Sequence, residues 1–269
     1  MATPPPFPGR LIQRGEADRT VVTLIQQALA ARGYGPFTPG VFDAAMVSVV
    51  KLFQSQNVDG DGHALQIDGV VGLYTWGALY PQPAPAPQSA PSTLMLHALA
   101  VAGTQEGQRE DPLGSNRGPM VDEYLRAVNI DPTVGGPDQR NWCAAFVYWA
   151  FRTAAQSLAT PNPLPRTAGC LDHWNKARTI AGAQRITAAQ AYANPALVKP
   201  GQVFILDLGG GAGHTGLVER LLGGGRLATI EGNTSAEGSR TGVGVFRLQR
   251  RKLSDASLKG LIDYSGVAG

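Results

Sequence analysis

Residues 81–91 run Pro-Gln-Pro-Ala-Pro-Ala-Pro-Gln-Ser-Ala-Pro, proline alternating with small or polar residues. Such a segment lacks the N–H groups that helices and sheets need and holds an extended, semi-rigid path, so it cannot join a core. It predicts two modules, over residues 11–80 and 93–269, joined by a linker over 81–92 and preceded by a tail over 1–10. The composition suits folded modules, with 43% hydrophobic and 16% charged residues. No apolar run approaches the length of a membrane span. The opening Met1-Ala2-Thr3-Pro4-Pro5-Pro6 has no basic segment followed by an apolar stretch, so no secretory signal is expected. A net charge of +3 favours approach to an anionic polymer but is too small and scattered to indicate nucleic acid.

The first module reads as mostly helical. Val21, Ile25, Ala28 and Leu29 share one helical face, which Gly33 ends as a left-handed cap. Asp43 can cap a second helix whose buried stripe is Met46, Val47, Val50 and Phe53. Two related turns follow these helices, Thr38-Pro39-Gly40-Val41-Phe42 and Ile67-Asp68-Gly69-Val70-Val71-Gly72, and the second leads into a short helix over 73–79. A plain three-helix bundle accounts for this pattern. The series Arg14-Gly15, Leu24-Ile25-Gln26, Gly33-Tyr34, Gly40-Val41-Phe42, Val50-Lys51-Leu52-Phe53-Gln54, Asp68-Gly69-Val70-Val71-Gly72 and Thr75-Trp76 goes further. It resembles the type 1 peptidoglycan-binding domain, a small three-helix module of bacterial and phage wall hydrolases. The resemblance covers residues 11–80 and departs from the family in a longer insertion from Asn57 to Gln66.

The second module begins with helices. Leu94 to Val101 is apolar, and Pro119 suits a first helical residue ahead of Val121, Tyr124, Leu125 and Val128 on one face. From Gly201 onward the pattern changes to short strands over 202–208, 215–221, 226–231 and 242–248, separated by turns such as Gly223-Gly224-Gly225. Helices followed by an antiparallel sheet predict an α+β domain.

Trp142 precedes Cys143-Ala144-Ala145-Phe146-Val147-Tyr148-Trp149-Ala150-Phe151, a helix apolar on all sides and therefore buried on all sides. A cysteine at its start faces the positive end of the helix, which favours thiolate over thiol. A small apolar core residue is the alternative for Cys143. The histidines bear on this choice. His63 lies in a Gly/Asp turn, His97 in an apolar helix and His173 in a polar segment, all positions that suit structural or surface roles. His214 instead opens a strand between Gly213 and Gly216, where glycines would let a substrate backbone come close to the imidazole. Glu231 ends the next strand, and a hairpin through 223–225 carries it beside His214. Either Glu231 or Asn233 can hold that imidazole in the right tautomer, with Glu231 favoured because a charge seldom ends an apolar strand unpaired. Cysteine, base and orienting group in this order point to a thiol amidohydrolase. Cys170 has no evident partner base and reads as incidental, the alternative being a structural bridge to Cys143.

Trp142-Cys143-Ala144, Gly213-His214-Thr215-Gly216-Leu217-Val218-Glu219 and Glu231-Gly232-Asn233-Thr234 together resemble the CHAP family, the cysteine, histidine-dependent amidohydrolases and peptidases of papain-like fold. The resemblance covers roughly residues 97–250. It implies Cys143 as nucleophile, His214 as base, Glu231 as its partner and Asn233 as a further polar site residue. It also implies cleavage of a peptidoglycan amide, at the muramoyl-L-alanine bond or within the stem peptide or cross-bridge. Gln139 and Asn141 are candidates to complete the oxyanion hole beside the Cys143 N–H. Trp142 and Trp174 can line a substrate cleft, while Trp149 suits packing.

No cofactor or metal is expected. Glu110-Asp111 and Asp122-Glu123 are adjacent pairs rather than the alternating ligands of a calcium loop, and Asp59-Gly60-Asp61 reads as a turn. The histidines are too dispersed for zinc. Two other functions fit some of these residues. One is a non-catalytic wall-binding protein with a degenerate second module. The other is a muramidase built on Glu106 with Glu110 or Asp111. A wall hydrolase made in the cytoplasm without a secretory signal acts in the periplasm or wall after another kind of exit. A phage lysin released through a holin, and a secreted effector with its secretion apparatus and immunity protein, both meet that requirement.

Overall fold

A computed structural model of the chain describes residues 4–59, 64–81, 87–236 and 242–267. The chain divides into two compact units, one over Met1–Pro85 with Tyr192–Pro195 and Leu222–Gly225, the other over Ala86–Ala191, Ala196–Leu221 and Arg226–Gly269. The division falls in the proline-rich stretch, of which residues 82–86 lie outside the described residues, as do His63 and the Gly60-Asp61 part of the expected turn.

The first unit is built on α1 (Arg19–Ala30), α2 (Ala44–Gln56) and α3 (Leu73–Leu79). Asp18 caps α1 by accepting from the N–H groups of Thr20 and Val21, and Asp43 caps α2 through the N–H of Met46. Gly33 takes a left-handed conformation, and the Tyr34 N–H closes back on the Leu29 carbonyl at 3.0 Å. The core takes in Val22, Ile25, Leu29, Met46, Val50, Phe53 and Trp76. Val22 is buried on α1 where Val21 was expected, and Val21 is only half-buried.

The two related turns share one physical device. Each helix supplies a buried glutamine that hydrogen-bonds both ways to the following turn. On α1, Gln26 donates to the Thr38 and Val41 carbonyls and accepts from the Gly40 N–H. On α2, Gln54 donates to Asp68 Oδ1 and the Val70 carbonyl and accepts from the Gly69 N–H. Gly69 has φ +78, and a Cβ there would lie 2.7 Å from a Val47 methyl, so both backbone and space call for glycine. The residues expected to form a free tail are partly engaged: the Trp76 indole donates to the Pro5 carbonyl and packs edge-on against Phe7.

The second unit is α+β. Its helices include α4 (Thr93–Gly103), α5 (Pro119–Ala127), α6 (Cys143–Ser157) and α7 (Cys170–Ala177). Its strands are β1 (Gln184–Thr187), β2 (Val203–Asp207), β3 (Gly213–Leu221), β4 (Arg226–Thr234), β5 (Gly244–Lys252) and β6 (Leu258–Asp263), forming an antiparallel sheet in the order β1-β6-β2-β3-β4-β5. Helix α6 is the axis of this unit. It packs on α4, α5 and α7 and lies against β3 and β4, which its all-round apolar surface requires. Its first residue, Cys143, lies beside His214 of β3.

The polar segment around His173 is a helix, α7, which the sequence reading left unassigned. Its buried face is Cys170, His173, Trp174 and Ala177, a helical spacing of i, i+3, i+4 and i+7. His173 packs inward and bonds the Tyr264 hydroxyl at 2.7 Å. Burial pulls its pKa down to about 4, so it is a neutral structural imidazole. His97 is exposed on α4.

Candidate active site

Antiparallel pairing of β3 with β4, in the register Leu217 opposite Ile230, carries Glu231 to the His214 end of the neighbouring strand. His214 Nε2 and Glu231 Oε2 are 2.7 Å apart, and both residues are 0% exposed. Two further groups hold the carboxylate. The Thr229 hydroxyl, on the same strand face, donates to Oε1 at 2.7 Å. Arg251 on β5 donates through Nε to Oε1 at 2.9 Å and through Nη2 to Oε2 at 2.6 Å. The Phe204 ring lies 6.1 Å from the imidazole and 5.7 Å from the Arg251 guanidinium carbon, closing the charged cluster with an apolar wall.

Burial alone would raise the Glu231 pKa, but the hydrogen bonds from His214 and Arg251 outweigh it and hold the group down at about 2. Burial likewise opposes a charge on His214, and its bonds to Cys143 and Glu231 reverse the outcome, raising its pKa to about 9. With Nε2 committed to Glu231, the buried Nδ1 is left without a hydrogen bond of normal geometry among the described residues, and it is the nitrogen available to the thiol. The Cys143 thiol is lowered well below its usual value of 9.0, first by a hydrogen bond from Cys170 and then by His214, against the effect of burial. Both neighbours thus favour the ionised form of the sulfur beside a protonated imidazole.

Cys170 is not incidental. Its sulfur lies 3.5 Å from that of Cys143, and both thiols are free. The bond it makes to Cys143, together with burial, raises its own pKa well above 9.0, which favours Cys170 as the protonated partner donating a hydrogen bond to the Cys143 sulfur. Gly213 explains the approach. A Cβ on Gly213 would lie 3.0 Å from the Cys170 Cβ and 2.9 Å from the Leu206 carbonyl, so the glycine makes room for α7 rather than for a substrate backbone. Gly216 does the same for Phe204 and Glu231, whose atoms would lie 2.9 and 3.0 Å from its Cβ.

Asn233 stands apart from the imidazole. It has φ +55, and a bulge between Glu231 and Thr234 breaks the alternation that would have aimed it at His214. With its amide oriented to satisfy its neighbours, its oxygen accepts from the Trp142 N–H at 3.1 Å and its nitrogen donates to the Gly242 carbonyl at 2.8 Å. It therefore fastens the backbone immediately before the thiol.

Trp142 does not line a cleft. It is 0% exposed, stacks near Tyr124 and donates its indole N–H to Glu110 Oε1 at 2.9 Å. Trp174 is 6% exposed beneath the Arg185 guanidinium, and Trp149 is buried in the core. Gln139 is exposed and turns its side-chain oxygen to the Gly136 N–H, while Asn141 donates its amide to the Asp138 carbonyl. Two of the carboxylates considered for a muramidase are separately engaged: Glu106 pairs with Arg247 on the surface, and Glu110 is buried against Trp142 and the Asn116 N–H. Among the described residues no cluster of three or more His, Cys, Asp or Glu is placed to hold a metal, and no helix is long and apolar enough to cross a membrane.

A nucleophile beside a substrate cleft would be open to solvent. Cys143 is instead 3% exposed, above an imidazole and a carboxylate that are fully covered. Arg251 and Cys170, and with them Thr229, are site residues that sequence reasoning missed. The signal for the first was the need of a buried Glu231 for a cation on an adjacent strand. The signal for the second was the helical spacing of α7's buried face.

Comparison with curated proteins and with solved structures returns no match. Comparison with protein families matches residues 18–79 to a peptidoglycan binding domain and residues 135–233 to the CHAP domain, the latter interval spanning Cys143, His214, Glu231 and Asn233. The chain therefore joins an N-terminal peptidoglycan-binding domain to a CHAP domain, the architecture of a cell-wall hydrolase.

Proposed function

We propose that this chain hydrolyses an amide bond of peptidoglycan through a thioester on Cys143, with the N-terminal domain holding it on the wall. The observation that carries the reading is the buried chain of contacts from Arg251 through Glu231 to His214, ending at a Cys143 sulfur whose ionisation is favoured from two sides.

In this mechanism the Cys143 thiolate attacks the amide carbonyl carbon. The oxyanion forms beside the free N–H groups of the first turn of α6, where the helix end also favours negative charge. The tetrahedral intermediate collapses as the His214 imidazolium gives its proton to the leaving amine, which departs and leaves the thioester. A water molecule, deprotonated by the now neutral His214, attacks the thioester carbonyl and releases the acid, restoring the thiolate and imidazolium. Glu231 remains ionised throughout, because it accepts bonds from Arg251 and Thr229 as well as from His214. It fixes the imidazole with Nδ1 toward the sulfur and stabilises its positive charge. Asn233 serves by anchoring the Trp142 backbone, which sets the position of the Cys143 N–H.

Both the muramoyl-L-alanine amide and a peptide bond of the stem or cross-bridge satisfy this chemistry. Mass spectrometry of the soluble fragments released from purified peptidoglycan tests the reading and separates them. Amidase action yields glycan chains free of peptide, and endopeptidase action yields muropeptides with a new internal amino end. Fragments carrying new reducing sugar ends and no new amino ends would overturn the proposal. The same chemistry serves a phage lysin released through a holin or an effector delivered by a secretion apparatus and neutralised in its producer by an immunity protein.

A further inference from the structure

Two thiols in contact at the first residues of two helices, one of them the proposed nucleophile, are more than that hydrolysis requires. Cys143 opens α6 and Cys170 opens α7, with sulfurs 3.5 Å apart. A disulfide bond is about 2.05 Å long, so closure asks the sulfurs to approach by about 1.5 Å, a movement within reach of side-chain rotation. Gly213 is the residue that allows the contact, since any Cβ there would press on the Cys170 Cβ and hold α7 away. Cys170 is also placed on the sulfur and makes no hydrogen bond to His214, whose Nε2 is taken by Glu231.

We propose that Cys170 is a resolving thiol: a peroxide-class oxidant converts Cys143 to a sulfenic acid, and Cys170 captures it as a reversible Cys143–Cys170 disulfide that blocks the nucleophile and protects it from further oxidation. In the first step the Cys143 thiolate attacks one peroxide oxygen. The O–O bond breaks, an S–O bond forms, and the leaving hydroxide takes a proton to become water. In the second step the Cys170 sulfur attacks the sulfenic sulfur. The S–S bond forms, the S–O bond breaks, and the departing hydroxide leaves as water with the Cys170 proton. The two sulfurs together lose two electrons, and the peroxide is reduced to water. A dithiol reverses the bridge by exchange and restores both thiols. Without a neighbouring thiol the sulfenic acid proceeds to sulfinic and sulfonic acids, which a dithiol does not reverse.

The bridge depends only on the two thiols, whereas its effect on hydrolysis rests on Cys143 being the nucleophile. The test treats the full-length chain with hydrogen peroxide, then reads intact mass, free thiols under denaturing conditions and peptidoglycan hydrolysis before and after dithiothreitol. Each variant is compared with its own untreated activity. Wild type is expected to lose two hydrogen atoms in mass, to lose both free thiols, to yield a peptide linking positions 143 and 170, and to regain its activity with dithiothreitol. Cys170→Ala is expected to gain oxygen atoms instead and to stay inactive after dithiothreitol. The proposal is overturned if wild type gains oxygen as Cys170→Ala does, or if no linked peptide forms at peroxide levels that abolish activity. The wild-type mass and linked peptide decide this even where the variant fails to fold. A linked peptide with hydrolysis undiminished would overturn the block and, with it, the role given to Cys143.

Discussion

Replacing Arg251 with methionine removes the guanidinium and keeps an unbranched chain of similar reach. Glu231 is 0% exposed, and Arg251 meets both of its oxygens, at 2.9 and 2.6 Å. Removing one partner of a buried ion pair costs about 3–5 kcal/mol, because the remaining charge is left without compensation. Two features of this site place the loss at the lower end. His214 still supplies positive charge at 2.7 Å, and the Arg251 side chain is 13% exposed, so water can reach the vacated volume. For a domain of this size each kcal/mol lowers Tm by about 2–4 °C, so a loss of about 3 kcal/mol lowers the melting of the CHAP unit by about 6–12 °C. The pH dependence of the gap is a second reading. Glu231 has a depressed pKa, about 2 against 4.5, so its contribution is fully present above the ordinary value and is lost as pH falls toward about 2. The variant has less of that contribution to lose, so the difference in Tm narrows as pH is lowered through this window. Circular dichroism melts of both proteins at neutral pH and at steps into the acid range measure both quantities. A fall of less than about 2 °C at neutral pH, or a gap that does not change with pH, refutes the reasoning.

In the proposed mechanism hydrolysis requires the imidazolium, whose pKa lies at about 9, so initial rates are expected to fall as pH rises through that value; rates still climbing in more alkaline buffer would contradict the ion pair. The same shift has a stability side: His214 is raised from 6.5, so its contribution is complete below that value and is lost as pH passes about 9, visible as a drop in Tm. His214→Gln is expected to reduce hydrolysis by about 10²–10⁴-fold, the usual worth of a general acid–base group, measured with full-length protein on purified peptidoglycan. Cys170→Ala removes the hydrogen bond that does most to favour the Cys143 thiolate, so the pH at which iodoacetamide alkylates Cys143 half-maximally moves upward; an unchanged profile would deny that bond its effect. In the binding domain, Gln54→Leu leaves the Gly69 N–H without a partner and the Val70 carbonyl with only the long bond from the Thr75 hydroxyl, and is expected to cost about 1–3 kcal/mol, seen in melts of the full chain. A loss below about 1 kcal/mol would show that the turn finds other partners.

How far the sequence reveals this molecule depends on whether a feature is local. Helix α3 was expected over 73–79 and is found there, and Asp43 caps α2 as read, because capping and apolar spacing act within a few residues. The strand regions β2 to β5 were recognisable from their runs of Val, Ile, Leu and Phe. Strands β1 and β6 were not. Gln184-Arg185-Ile186-Thr187 is a short edge strand with one buried residue, and β6 carries Gly260 at its centre. Both are strands because partners exist for them, a property of the sheet and not of the segment. The reading also ended this strand at Leu248, where the apolar run stops; in the sheet Gln249-Arg250-Arg251-Lys252 continue the strand and bring Arg251 to Glu231.

The candidate site divides in the same way. Cys143 at the head of a buried helix, and His214 and Glu231 on neighbouring strands, follow from helix polarity and hairpin pairing. Cys170 is separated from Cys143 by 27 residues, and only the packing of α7 against β2 and β3 brings it there. Trp142 was misread for the opposite reason: an aromatic beside a reactive cysteine suggests a substrate wall, yet its indole is used to fix Glu110 inside the core. Local spacing can place Cys170 on a buried helical face, but neither its contact with Cys143 nor that of Trp142 with Glu110 is written in neighbouring residues.

The central claim is that the Cys143 sulfur breaks an amide of the wall. Counting new amino groups released from purified peptidoglycan by wild type and by Cys143→Ala, at equal amounts of folded protein, measures it directly. Wild type is expected to release them steadily and Cys143→Ala to remain at the level of buffer alone. Equal release by the two proteins would contradict the account, whatever the geometry around the sulfur.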